Sequence, residues 1–205
     1  MSEFWEDAFV SKQLMWGLGP SRSALFARDR FVRIGAKDVL MLGIGYGRNA
    51  KPLIDAGMSV TGIEISGKAI ELARAELGLD IPIHHGSVTD MPFDDKQYDA
   101  VFCYGLLYLL DAPGRAKVLR ECYRQLKPGG EMIFSVISKR APMYGQGEPL
   151  GEDWYRMPYG VNLFFYDTTS ITRDFGPVGL REVAEVDEPA GGSAHPFINV
   201  VCARP

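Results

Sequence analysis

Between residues 39 and 137 short apolar runs alternate with turns and stretches of helical spacing. Residues 39–42, 59–63, 81–84, 100–104 and 131–137 read as strands. Residues 48–56, 67–77 and 113–126 read as helices between them, the second capped by Ser66 and the third closed by Lys127-Pro128-Gly129-Gly130. Strands alternating with helices in this way predict a parallel sheet covered on both faces, an α/β doubly wound architecture. Two helical segments precede this alternation, at 3–16 and 21–34, split by Gly17-Leu18-Gly19-Pro20. After Ser138 the period is lost. Residues 139–160 are rich in Gly, Pro, Met and aromatics, which predicts an irregular lid or binding insertion. A helix near 168–175 and strands near 181–187 and 197–203 follow, with residues 188–196 expected as the connection of an antiparallel hairpin. The expected organisation is one domain over 1–205, with 1–20 as an N-terminal cover and 139–165 as the lid or substrate insertion.

Composition removes several classes. The net charge is -4 and the basic residues are scattered, so no nucleic-acid partner is expected. The start of the chain carries acids and no long apolar run, and no stretch is apolar for long enough to span a bilayer, so neither a signal peptide nor a membrane partner is expected. Cys103, Cys122 and Cys202 are far apart and lack Cys-x-x-Cys spacing. They predict buried free thiols in a cytoplasmic protein, with no metal site. A monomer and a homodimer both remain open.

The loop Gly43-Ile44-Gly45-Tyr46-Gly47-Arg48 follows the first strand and opens the first helix of the alternation. Glycine lets a ligand approach the backbone, and the start of a helix presents free N–H groups. By itself such a loop is a ligand cradle or a tight turn. A dinucleotide fingerprint would place glycine at position 48, where this chain has arginine. Glu64 stands just past the second strand, about 20 residues after the loop, where an α/β fold grips a ribose diol by charge-assisted hydrogen bonds. A solvated surface acid is the alternative.

Five stretches then occur in one order: "VLMLGIGYGRNA", the acid of "GIEIS", "GSVTDMPF", "QYDAVFCYGLLYLL" and "LKPGGEMIFSV". Together they resemble the class I S-adenosylmethionine-dependent methyltransferases of small-molecule type, over residues 39 to about 137. The resemblance implies a Rossmann-like, mostly parallel seven-stranded sheet ending in an antiparallel hairpin strand. It implies S-adenosyl-L-methionine as cofactor, which has no phosphate and so needs no glycine at Arg48. Gly43, Ile44, Gly45, Gly47 and Asn49 would contact it, Glu64 and Ile65 would meet its ribose side, and Ser87 and Val88 its adenine. Tyr104 and Gly105 would lie under the methionine end, and Trp16 would close over it or pack in the core. Two residues depart from the family pattern: Met41 and Ser87 stand where the family often has acids.

Methyl transfer from a sulfonium is an in-line displacement in which the protein mainly aligns nucleophile, methyl and sulfur. A hydroxyl acceptor benefits from a base. His195, expected in a late loop, and Tyr108, where many relatives carry histidine, are the candidates. His84 and His85 read as structural. Tyr144, Trp154, Tyr159 and Phe164 predict an aromatic wall for an apolar or aromatic small-molecule acceptor, or else a satellite core beneath the insertion. The acceptor atom is open among oxygen, nitrogen and sulfur. Two other readings share these residues. One is a non-catalytic protein that binds the cofactor or its demethylated product. The other is a nicotinamide-dependent oxidoreductase, against which Arg48 weighs.

Overall fold

A computed structural model describes residues 2–190 and 193–205. The elements run α1 (Ser2–Lys12), α2 (Arg22–Arg33), β1 (Asp38–Leu42), α3 (Lys51–Asp55), β2 (Ser59–Glu64), α4 (Gly67–Leu77), β3 (Ile83–His85), β4 (Tyr98–Tyr104), α5 (Ala112–Gln125) and β5 (Leu126–Ile137). Then come β6 (Glu148–Gly151), β7 (Trp154–Arg156), β8 (Asn162–Phe164), α6 (Thr168–Phe175), β9 (Leu180–Ala190) and β10 (Ser193–Ala203). Seven strands form the main sheet in the order β3-β2-β1-β4-β5-β10-β9. β1 through β5 pair in parallel, and β10 runs antiparallel to both β5 and β9.

The period-2 geometry of the central strand explains why both faces are covered. Leu40 and Leu42 of β1 point into a core shared with Val118 and Leu119 of α5 and Phe175 of α6. Val39 and Met41 point the other way, onto Ala24, Ala27 and Phe31 of α2 and Leu53 of α3. A strand buried on both faces has no solvated side, which is why it reads as an uninterrupted apolar run. Ser66 caps α4 as expected, its hydroxyl accepting from the Ala69 N–H at 3.0 Å. The three cysteines are buried and free, and burial pushes the Cys103 thiol up to about 12, which keeps it protonated.

Several expected boundaries shift. The helix expected over 48–56 is only Lys51–Asp55, because the chain first turns through Gly47–Ala50, with the Ala50 N–H donating to the Gly47 carbonyl at 2.9 Å. Lys127-Pro128-Gly129-Gly130 lies inside β5, which starts directly after α5; a register shift between Tyr98 and Ala100 absorbs the irregularity. The segment after Ser138 is not irregular throughout: β6, β7 and β8 form a three-stranded antiparallel sheet. The connection expected over 188–196 is largely strand. β9 continues to Ala190 and β10 begins at Ser193, so His195 sits in a strand opposite Glu188 rather than in a loop. Gly191 and Gly192 lie outside the described residues. β9 is the edge of the sheet, where Pro189 leaves no central ladder bond unmade.

A charged clamp ties the small sheet to α6. The Lys139 ammonium bridges the carboxylates of Asp153 and Asp167, each at 2.6 Å. Asp167 also caps α6, accepting from the Ser170 N–H at 2.8 Å while the Ser170 hydroxyl reaches back. The Lys139 contact, aided by Ser170, lowers the Asp167 carboxyl from 3.8 to about 2. The unfolded chain therefore binds the extra proton first. The stability Asp167 contributes is complete above about pH 3.8 and is lost as the pH falls toward about 2. Urea midpoints of wild type and Asp167→Asn should converge over that window; parallel curves would show that the ionised Asp167 carboxylate adds nothing.

Candidate active site

The site forms where β1, β2, β4 and β5 end at one edge of the sheet, the ligand side of an open α/β fold. After Leu42 the chain turns sharply at Gly43, whose φ of 59° suits glycine; a Cβ there would lie 2.4 Å from Leu106 Cδ1. The loop is fixed from two sides. The Ile44 N–H donates to the Ile63 carbonyl at 3.1 Å, and the Gly45 N–H donates to Glu64 Oε2 at 2.7 Å. Glu64 closes β2 at 5% exposure, and its Oε1 accepts from the N–H groups of Ile65 and Ser66, each at 2.9 Å. Burial raises its pKa, and the three amide contacts offset part of that rise. A carboxylate has about four acceptor positions, so about one remains for a ligand hydroxyl.

The N-terminal segment packs across this loop. The Glu6 carboxylate accepts from the Ser66 hydroxyl at 2.6 Å and the Lys68 N–H at 3.2 Å, at the start of α4. The Tyr46 hydroxyl donates to the Gly17 carbonyl at 2.7 Å and accepts from the Trp16 N–H at 3.1 Å, while the Trp16 and Tyr46 rings stack. Trp16 falls beyond α1, which stops at Lys12, rather than within one helix over 3–16.

Between the loop, the N-terminal segment, the small sheet and the start of β10 lies a cavity of about 520 Å³. That volume suits a drug-sized ligand. Twelve expected site residues line it: Gly43, Ile44, Gly45, Asn49, Glu64 and Ile65 from the loop side, Trp16 above, Tyr104, Gly105 and Tyr108 after β4, and Tyr159 and His195 opposite. Six do not. Gly47 faces the protein: with φ 89°, a Cβ there would lie 2.1 Å from Leu79 Cδ1, so its role is close packing. The Ser87 hydroxyl caps the short turn Val88–Asp90, and the Val88 side chain is buried among Leu107, Val118 and their neighbours. Tyr144 packs edge-on against Tyr155 and Phe165, its hydroxyl donating to Asp153 at 2.7 Å. Trp154 and Phe164 face the Arg115 guanidinium, 5.5 and 3.9 Å from their ring centres. Met41 is not on the wall either; it packs between α2 and α3.

Sequence reasoning missed Glu188, which lines the cavity at 2% exposure, and gave Arg48 no contact there. Glu188 accepts from the N–H groups of Arg22 at 2.9 Å and Ser23 at 2.7 Å, which satisfies the start of α2 across a gap of more than 160 residues. No local pattern announces a cap so remote. Burial pushes the Tyr104 and Tyr108 phenols well above their usual range, so both remain protonated.

The comparisons with known proteins meet this geometry. Residues 39–130 match the methyltransferase domain family. The ubiquinone biosynthesis O-methyltransferase of Nitrosospira multiformis is 32% identical over 181 residues, covering 84% of this chain and 72% of that protein. The chain belongs to the class I S-adenosylmethionine-dependent methyltransferases. Other relatives of the same name match over about half their length, 51% in Pseudomonas syringae. The CcbJ methyltransferase from Streptomyces caelestis shares the fold at TM-score 0.74 and 18% identity, over 100% of both chains. The 1,6-didemethyltoxoflavin-N1-methyltransferase of Burkholderia thailandensis does so at TM-score 0.73 and 15% identity, over 99% of this chain and 88% of that one. Family membership removes the nicotinamide reading of the loop and Glu64.

The residues present fit S-adenosylmethionine. The acid at the end of β2 lies beside the glycine loop, as a ribose requires. Gly105 leaves open the space a Cβ would occupy 3.6 Å from the Tyr108 hydroxyl. Among the described residues no helix is long and apolar enough to cross a membrane, and no cluster of His, Cys, Asp or Glu is placed to hold a metal.

Proposed function

We propose that this methyltransferase acts on a hydroxyl of a flat, apolar small molecule. One observation carries the reading: apart from Tyr108, Tyr159, His195 and Glu188, the cavity wall contributed by the small sheet and the ends of the neighbouring strands is apolar. Leu109, Ile137, Met143, Val161, Leu163 and Phe197 line it. Tyr104 and Phe197 stack on each other there at 5.5 Å and 7°, which fixes two aromatic rings at the cavity wall. Oxygen as the acceptor atom is supported by the Nitrosospira relative, named an O-methyltransferase.

In this reading Glu64 and the loop of Gly43, Ile44 and Gly45 hold the cofactor's ribose side, with Ile65 and Asn49 beside them. Tyr104, Gly105 and Trp16 border its methionyl end. Bound there, S-adenosylmethionine supplies an electrophilic methyl on a sulfonium. Aromatic faces attract such a cation, and an apolar wall excludes water from the line of attack. His195, on the cavity wall, is the candidate base for the acceptor hydroxyl. Tyr108, held protonated, lines the cavity rather than accepting a proton. Tyr159, exposed at the rim, would guide the acceptor.

Methyl transfer from labelled cofactor to a panel of phenols, amines and carboxylic acids tests this. Phenols should be the methylated class. Tyr159→Ala should raise acceptor KM, and His195→Ala should lower kcat by about 10²–10⁴-fold with cofactor affinity unchanged. Transfer confined to amines or charged acids would sink the reading, and an unchanged kcat would remove His195 from the base role.

A further inference from the structure

Three carboxylate or guanidinium groups line the cavity, and two of them are answered by the protein. Glu64 is met by three backbone N–H groups and Glu188 by two. Arg48 is different. Its Nη1 donates to the Gly19 carbonyl at 2.8 Å, and the guanidinium carbon lies 5.7 Å from the centre of the Tyr104 ring. Among the described residues it forms no ion pair. A guanidinium carries five N–H donors, and Gly19 uses one. Arg48 is half-buried, so part of its guanidinium meets solvent and the rest faces the cavity, where its remaining donors can meet an anion.

We propose that Arg48 is the subsite for a ligand carboxylate, and that this carboxylate is the one on the methionyl end of the cofactor. The inference rests on the cofactor lying between Glu64 and Tyr104, as argued above. Tyr104, beside Arg48, borders the expected methionyl end, while the acceptor side of the cavity is apolar and has no evident use for an acid. A planar guanidinium can meet both carboxylate oxygens at once, which a lysine ammonium cannot do. Glycine at this position, as in a dinucleotide fingerprint, would remove the contact.

The test is calorimetry with S-adenosylhomocysteine and with its decarboxylated analogue, which keeps the amine and the nucleoside. Arg48→Gln should weaken S-adenosylhomocysteine about 10- to 100-fold, the range for a lost charge-assisted hydrogen-bond partner, and leave the analogue unchanged. Arg48→Lys should recover part of the loss. An equal loss for both ligands would overturn the proposal, since Arg48 would then act only by holding the Gly19 segment. Undiminished S-adenosylhomocysteine binding would also overturn it. Glu64→Gln is the control, because both ligands share the ribose. If it weakens neither ligand, the cofactor placement itself fails.

Discussion

Glu64→Ala is expected to weaken S-adenosylhomocysteine binding by about 1–3 kcal/mol, the penalty for removing a charged hydrogen-bonding partner. The structure gives the substitution a second effect. The Glu64 carboxylate gathers the N–H groups of Gly45, Ile65 and Ser66, so it shapes the loop as well as facing the ligand. With alanine, three N–H groups lose their acceptor and the glycine loop loses its tie to β2. Glutamine keeps one acceptor oxygen but presents an NH2 toward backbone donors, so it should fall between wild type and alanine. Calorimetry decides: an unchanged dissociation constant for Glu64→Ala would show that this acid is not the ribose clamp.

The largest expected loss of stability lies away from the cavity. Arg115→Ala should lower unfolding free energy by about 3 kcal/mol in urea titration, the low end for breaking a buried ion pair. Arg115 is 3% exposed; its Nε donates to Asp174 at 3.2 Å and its Nη1 to the Leu110 carbonyl at 3.0 Å. Its guanidinium also carries the Trp154 and Phe164 rings. Asp174 keeps the Tyr166 hydroxyl and Arg173 after the change, which argues for the low end. Arg115→Leu combined with Asp174→Leu should recover much of the loss, because no lone charge stays buried. The exposed Lys51–Asp55 pair, at 58% side-chain exposure on each partner, should contribute about 0.5 kcal/mol or less. Equal effects at the two sites would contradict this ranking.

The difference between these two pairs also shows what the sequence could and could not convey. The alternation of apolar runs and helices, the Ser66 cap, the glycine loop and Glu64 all depend on neighbours close in sequence or on strict period, and each is legible there. Arg115 looks like one more surface cation on an amphipathic helix. Only aromatics supplied about 40 to 50 residues later bury it. The small sheet of β6, β7 and β8 is illegible for a similar reason: its strands are short, and it is held by contacts remote in sequence, the Lys139 clamp to Asp153 and Asp167 and the apolar cluster of Leu163 and Phe165 with Leu109, Ile137 and Phe197. At the hairpin, Pro189, Gly191, Gly192 and Pro196 read as a loop, yet pairing with a neighbouring strand carries the chain through both prolines. That pairing puts His195 opposite Glu188 and brings both to the cavity. Trp154 and Phe164 read from composition as either an acceptor wall or a satellite core, because composition does not say which side of a sheet a ring faces; both lie against Arg115.

The placement of the indole rings gives the protein a built-in optical readout. Of its three tryptophans, Trp5 and Trp16 line the cavity, and Trp16 is 47% exposed. Emission from Trp16 should shift to the blue when a ligand excludes water from its ring. Trp154, lodged against Arg115, is remote from that event and reports instead on whether the small sheet stays docked. Phenylalanine at Trp154 would leave a protein whose fluorescence follows occupancy, and phenylalanine at both Trp5 and Trp16 would leave one whose fluorescence follows unfolding.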